Sequence, residues 1–175
     1  MRTATEVLRD EHALILGALD ALERAAGRSL TGAGPPAPWW DEALAWLRAF
    51  ADLNHHAKEE TLLFPEMIRA GVPSVGGPIA VMLEEHERGR TLIRAIEQCA
   101  GASRATPALE YVALLRAHIE KENEVLFALA DAVLTDEEQR ALTERFAASE
   151  HTIGPGDADA AVDRLTAGLQ VGVGV

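Results

Sequence analysis

The chain has 175 residues, 48% of them hydrophobic, enough for one domain with a substantial buried core. Sixteen Lys and Arg stand against 28 Asp and Glu, and the net charge of -12 argues against nucleic acid or an anionic membrane surface as a partner. No stretch approaches the roughly 20 apolar residues that span a bilayer, and Met1 to Asp10 lacks the apolar run of a secretion signal, so cytoplasmic residence is expected. The single cysteine, Cys99, can build neither an internal disulfide nor a thiolate zinc site, and reads as a small apolar residue near a helix end.

The pattern is helical throughout, with stops supplied by Gly and Pro. A capping box, Thr3-x-x-Glu6, opens the first helix, which carries Leu8, His12, Ile15, Leu19 and Leu22 on one stripe. Gly27 to Pro38 reads as a connection, and Trp39 and Trp40 as an aromatic staple ahead of the second helix. That helix places Leu44, Leu47, Ala51, His55, Glu59 and Leu62 on one face, and Gly71 and Pro73 close it. Pro65 removes a backbone donor, which predicts a kink or break just past the His55/Glu59 pair. Helix three opens at Pro78 and presents Ile79, Met82, His86, Gly89, Ile93 and Ile96 until Gly101, with Gly89 suited to close helix approach. Helix four has Thr106 as the expected N-cap and aligns Tyr111, Leu115, His118, Glu122, Val125 and Leu129. A fifth helix is expected from the box Thr135-x-x-Glu138 to about Glu150. Residues 157–169 suggest one or two further amphipathic turns before a frayed tail.

Four long amphipathic helices with short connections predict an all-α fold, an antiparallel four-helix up-down bundle with an additional short C-terminal helical segment. Residues 1–150 form the metal-binding domain in this reading, and 151–175 an extension, partly helical and then frayed. Six residues then point inward: His12, His55, Glu59, His86, His118 and Glu122. The spacing His-x-x-x-Glu occurs twice, at His55/Glu59 and His118/Glu122, and each pair puts an imidazole and a carboxylate one turn apart on one face. Uncompensated charge in such a core is costly, so buried carboxylates are paired, hydrogen-bonded or bound to metal, and six such residues on four stripes point to metal. Imidazole and carboxylate without thiolate suit iron, manganese, zinc or copper, and the duplication favours two irons with Glu59 and Glu122 between them. Zinc or manganese could occupy the same ligands, zinc without redox chemistry. His56 and Glu60 lie about 100° further round the helix, which predicts exposure for both, as does the position of His151 beyond the fifth helix. Leu16, Met82, Phe64 and Phe127 are candidates for an apolar shell, Tyr111 for a cap of the core, and Glu120 and Glu124 for solvated neighbours of Glu122.

These motifs resemble the hemerythrin-like, or HHE cation-binding, family from about His12 to Phe127: Asp10-Glu11-His12, His55…Glu59…Leu63-Phe64-Pro65, Glu85-His86-Glu87 and His118…Glu122…Leu126-Phe127. The resemblance implies a four-helix bundle with a non-haem di-iron centre, oxo- or hydroxo-bridged, that binds dioxygen or related small ligands. By position His12, His55, His86 and His118 would be terminal ligands and Glu59 and Glu122 the bridges. Ferritin-like bundles are excluded because they use Glu-x-x-His, and no histidine here has Glu three residues before it. Two departures separate the chain from the oxygen carriers of the family. Met82 and Arg90, not histidine, flank His86 at a spacing of four, leaving a position for Glu60, His56 or water, and the second bridging carboxylate comes four residues after His118, with Asn123 in the fifth place. The function expected is to bind or react with dioxygen, peroxide or nitric oxide in sensing or detoxification, with an unidentified redox donor or protein partner. An iron-storage or iron-sensing module without redox turnover is the alternative, and a helical interaction protein with a vestigial site the third reading.

Overall fold

The computed structural model describes residues 2–149 and 155–170, and among them it is all-helical with no strand. Six helices succeed one another. Helix α1, Ala4–Leu30, starts at the expected box: the Glu6 backbone N–H donates to Thr3 Oγ1 at 3.2 Å and the Thr3 N–H to Glu6 Oε2 at 2.8 Å. It runs through Gly27, so the connection shortens to residues 31–36, where Gly32 takes a positive φ of 78°. Helix α2 covers residues 37–69 and is continuous but uneven: α-helical over Ala37–Trp46, wider over Leu47–His56 and Glu59–Leu63, α-helical again over Phe64–Arg69. Helix α3 is Pro78–Gln98. A 3-10 turn, Gly101–Arg104, leads into α4, residues 105–133, which is α-helical over Ala105–Lys121, wider over Glu122–Leu126, and α-helical over Phe127–Val133. Thr106 is therefore inside α4 and not its cap, because the preceding 3-10 turn already starts the spiral. Helix α5, Asp136–Ser149, is capped by Thr135 and Glu138 as expected, and α6 is Pro155–Gln170. No helix among the described residues is long and apolar enough to cross a membrane.

Two apolar clusters sandwich a polar layer. One gathers Ala4 and Leu8 from the start of α1, Phe64 and Met67 from the end of α2, Ile79 and Met82 from the start of α3, and Phe127 and Ala130 from the end of α4. The other joins Leu19 and Leu22 to Trp40, Leu44 and Phe50, and Ile93 and Ile96 to Ala108 and Leu115. Starts of α1 and α3 thus share a pole with ends of α2 and α4, and the histidines lie between the poles. Helix α6 is longer than the one or two turns expected and seals the second cluster. Ala158 and Leu165 are buried there, and the indoles of Trp39 and Trp46 donate to the Leu165 and Ala158 carbonyls at 2.9 and 3.2 Å. Both tryptophans of the 39–40 pair lie in the first turn of α2 and act as the expected staple. The tail beyond Gln170, and His151, lie outside the described residues.

The kink expected at Pro65 is absent. Leu63 and Phe64 keep helical dihedrals, and the irregularity falls on either side of the ligand pair, over Leu47–His56 and over Glu59–Leu63, where the Phe64 N–H reaches back five residues to the Glu59 carbonyl. Helix α4 repeats this without a proline, the Phe127 N–H bonding to the Glu122 carbonyl. Since the widening recurs with His-x-x-x-Glu and not with proline, it belongs to the site. Each wide turn holds an extra residue and rotates the next stretch of helix about its axis. Leu63 and Leu126 are buried, whereas Leu62 is only partly covered and Val125 is 55% exposed, one step from the stripe a regular helix would give.

Candidate metal centre

All six inward residues meet. His12, His55, Glu59 and Glu122 form one group and Glu59, His86, His118 and Glu122 another, with ligand atoms in each within 4.8 Å of one another. Every member is buried, Glu59, His86 and Glu122 completely. The His12 and His55 Nε2 atoms are 3.0 Å apart at one end, and the His86 and His118 Nε2 atoms 3.1 Å apart at the other. Between them the carboxylates span both ends. Glu59 lies 3.7 Å from His55 Nε2 and 3.4 Å from His86 Nε2. Glu122 lies 3.1 Å from both His12 Nε2 and His118 Nε2.

The groups around the histidines fix which nitrogen faces inward. His55 Nδ1 donates to Glu11 at 2.9 Å, His118 Nδ1 to Glu85 at 2.9 Å, His86 Nδ1 to Glu60 at 2.7 Å and His12 Nδ1 to Asn123 at 2.9 Å. A proton on each Nδ1 leaves each Nε2 with a lone pair aimed at the centre. Burial raises the Glu11 carboxyl, but His55 and the Lys58 ammonium outweigh it and hold it below its ordinary value. Burial likewise opposes Glu85, which Lys121 and His118 nevertheless keep low, and His86 followed by Arg90 does the same for Glu60. Ionised acceptors of this kind hold metal-binding imidazoles in one tautomer and orientation.

Two observations make this arrangement fit a metal pair. All four carboxylate oxygens of Glu59 and Glu122 are buried with no hydrogen-bond partner among the described residues, an expensive state for a protein alone. The inward Nε2 pairs, 3.0 and 3.1 Å apart, also require a proton or a metal ion between their lone pairs. Burial and the adjacent charge of Glu122 push Glu59 well above the usual carboxylate range, whereas Glu122, despite burial, is held low by His118 and His12. The metal-free pair therefore keeps a proton. Burial drives His55 down to about 4, so its nitrogen stays available to a metal at neutral pH.

Two expectations about the neighbours change. His56 is buried, not exposed, because the wide turn over Leu47–His56 brings consecutive residues to the interior. It stacks on His86 with ring centroids 3.9 Å apart and groups with His86 and His118. Glu60, only a quarter exposed, is engaged with His86 Nδ1 and Arg90, on the far side of the imidazole from the centre. Phe127 stacks on His12 at 5.3 Å and Phe64 on His86 at 6.1 Å, which makes both walls of the site. Met82 is buried in the adjacent cluster and Leu16 packs against the other. Glu120 and Glu124 are solvent-facing, as expected.

Helical spacing alone does not reveal Glu11, Lys58, Glu85 and Lys121 as partners, although the duplication extends to them. Glu11-His12 matches Glu85-His86, and His55-x-x-Lys58-Glu59 matches His118-x-x-Lys121-Glu122. Each glutamate turns away from the histidine beside it and accepts from the His-Lys pair of the succeeding helix.

A buried layer of histidines and carboxylates inside a helical bundle defines a metal-binding protein. The hemerythrin HHE cation binding domain matches residues 3–130, and the chain belongs to that family. Uncharacterised proteins of Mycobacterium bovis and of two strains of Mycobacterium tuberculosis are each 27% identical over 159 residues, covering 85% of this chain. The chain spans 62% of the length of those relatives. No solved structure matches significantly.

Proposed function

We propose that the chain is a non-haem di-iron protein whose centre binds or reacts with dioxygen, peroxide or nitric oxide, in sensing or detoxification. His12 and His55 would cap one metal, His86 and His118 the other, and Glu59 and Glu122 would bridge them. The observation that carries the reading is the set of four orphaned carboxylate oxygens lying between two pairs of oriented Nε2 atoms. Two irons held there would supply electron transfer at the metals and an open position for a small ligand.

The protein's own part is positioning and exclusion. Glu11, Glu85, Glu60 and Asn123 lock the four rings, while Phe64, Phe127 and the flanking clusters keep bulk water from the buried layer. Four ligand histidines against two bridging carboxylates leave the histidine-poor stretch of α3 without a seventh donor, since Met82 and Arg90 stand at that spacing. Electrons would come from an outside donor, and a cytoplasmic setting fits the reading.

The test is a His118→Ala variant with metal analysis and visible spectroscopy. Loss of metal and absorption together is expected, and iron retained at the unmodified stoichiometry would overturn the assignment. Iron that binds and stabilises the fold but never changes oxidation state with peroxide, dioxygen or dithionite would favour storage or iron sensing instead.

A further inference from the structure

The duplicated halves differ on one side of the centre. Matched by the His55/His118 and His12/His86 registers, His56 corresponds to Ile119, Asp52 to Leu115, Gly89 to Ile15 and Arg90 to Leu16. On the His12 side these four places are filled by packed aliphatic side chains of the core. On the His86 side they are a histidine, a carboxylate, a glycine and a guanidinium, and a cleft of about 160 Å³ opens there.

The cleft runs from surface to site. Arg48 and Arg94, 45% and 52% exposed, stand at its outer end, and the buried rings of His56, His86 and Tyr111 at its inner end. Gly89 keeps it open, for a Cβ there would meet Tyr111 Cε2 at 3.6 Å in ordinary contact and a larger side chain would fill the space. One polar group on the wall is unspent. His56 Nδ1 is turned to the Asp52 carboxylate, 3.7 Å away, and is closed off from the cleft. The Tyr111 hydroxyl, on a side chain only 3% exposed, has no hydrogen-bond partner among the described residues. The three cations that line the cleft are each matched by acids, Arg48 by Glu97, Arg94 by Glu87, and Arg90 by Asp52 and Glu60, so no net field recruits an anion.

We propose that this cleft is the entry and holding site for a small uncharged ligand able both to donate and to accept hydrogen bonds, of the hydrogen peroxide class. Such a guest satisfies the Tyr111 hydroxyl, itself donor and acceptor, while lying against His56 and His86, on one side of the centre only. The inference rests on the redox reading of the six-residue cluster. It makes the centre one-sided, with the His86/His118 end reached from solvent and the His12/His55 end closed by Ile15, Leu16, Leu115 and Ile119.

The test compares the full-length iron-loaded protein with Gly89→Phe, which fills the cleft, and Arg94→Trp, which obstructs its mouth from the surface and spares the core. Reduced protein is mixed with hydrogen peroxide or with ferricyanide, an oxidant too bulky for the cleft. With iron content unchanged, either variant is expected to slow oxidation by peroxide at least tenfold and leave ferricyanide oxidation as it was. A peroxide rate equal to that of the unmodified protein in both variants would overturn the proposal. Tyr111 is the only tyrosine, so [13Cζ]tyrosine labelling gives one resonance that reports the cleft without metal. A saturable shift of that resonance when peroxide is added to metal-free protein, abolished by Gly89→Phe, is expected, and no shift would count against the holding site. If the iron-loaded protein answers neither oxidant, the redox reading fails by itself, and the tyrosine signal still decides the cleft.

Discussion

Replacing Glu59 by Gln should move the metal-free and metal-loaded proteins in opposite directions. In the metal-free fold Glu59 is fully buried, neither of its oxygens has a hydrogen-bond partner among the described residues, and Glu122 beside it is equally buried and held low by His118 and His12. Burial and the Glu122 charge drive the Glu59 carboxyl well above its ordinary range, so at neutral pH it is either protonated against bulk water or charged against its neighbour. Several kcal/mol attach to an uncompensated buried ion, whereas a buried neutral amide without partners costs about 1–3 kcal/mol. The nearly isosteric amide therefore stabilises metal-free protein by roughly 1–3 kcal/mol. For a domain of this size each kcal/mol moves Tm by about 2–4 °C, which gives a rise of roughly 2–12 °C. With iron the sign reverses, because an amide cannot replace an anionic bridge between two cations: iron per chain falls, and with it the stabilisation that tight binding adds, about 4 kcal/mol at a thousandfold excess over Kd. Calorimetry of chelator-treated and iron-reconstituted protein, with iron analysis of the same samples, reads both arms. A metal-free Tm lowered by Glu59→Gln, or iron stoichiometry unaffected by it, would refute the reasoning.

Glu85→Ala should leave the helical fold intact and weaken metal affinity about 10- to 100-fold, since it frees the His118 ring and leaves Lys121 without its acceptor; competition with a chromophoric chelator measures this, and unchanged affinity would remove Glu85 from the site. Metal-free protein should lose stability as pH falls from 6.5 to 4, because unfolded His55 takes a proton near 6.5 while the folded side chain resists until about 4. That one group contributes up to about 1.4 kcal/mol per pH unit, His56 and His86 are depressed in the same sense, and together they outnumber the raised groups Glu59 and His118. A urea midpoint at pH 5 equal to or above that at pH 7 would contradict it. Leu165→Ala in α6 should cost about 2–5 kcal/mol, since Leu165 is 2% exposed in the cluster with the tryptophans of α2; a loss below about 1 kcal/mol in urea titration would show α6 to be dispensable packing.

The parts of the site legible in the sequence are those that obey helical spacing. His12, His55, Glu59, His86, His118 and Glu122 fall on regular stripes, and the structure brings all six together. His56 is not legible, because its inward position depends on a turn wider than 3.6 residues, and nothing local announces such a turn. Regular spacing misplaces Val125 and Leu62 for the same reason, each one residue from the Leu126 and Leu63 that the rotated stripe buries. Glu11 and Glu85 are hidden differently. Each stands beside one histidine in the chain and serves another across the bundle, a pairing that only helix packing creates. Pro65 misleads because its effect on the backbone is real in general, yet here the preceding wide turn hands the Phe64 N–H to Glu59 and the helix continues through the proline. The extent of α6 is hard to read because its small residues, Ala158 and Ala161, give a weak stripe whose worth lies in letting α6 approach α1 and the tryptophans closely.

Metal analysis of protein expressed in iron-supplemented medium, joined to an ultraviolet-visible spectrum before and after dithionite and again after air or peroxide, tests the central claim most directly. About two irons per chain are expected, with an oxo-bridge absorption that bleaches on reduction and returns on oxidation. Zinc alone or no metal, with no spectrum recovered after anaerobic iron reconstitution, would contradict it.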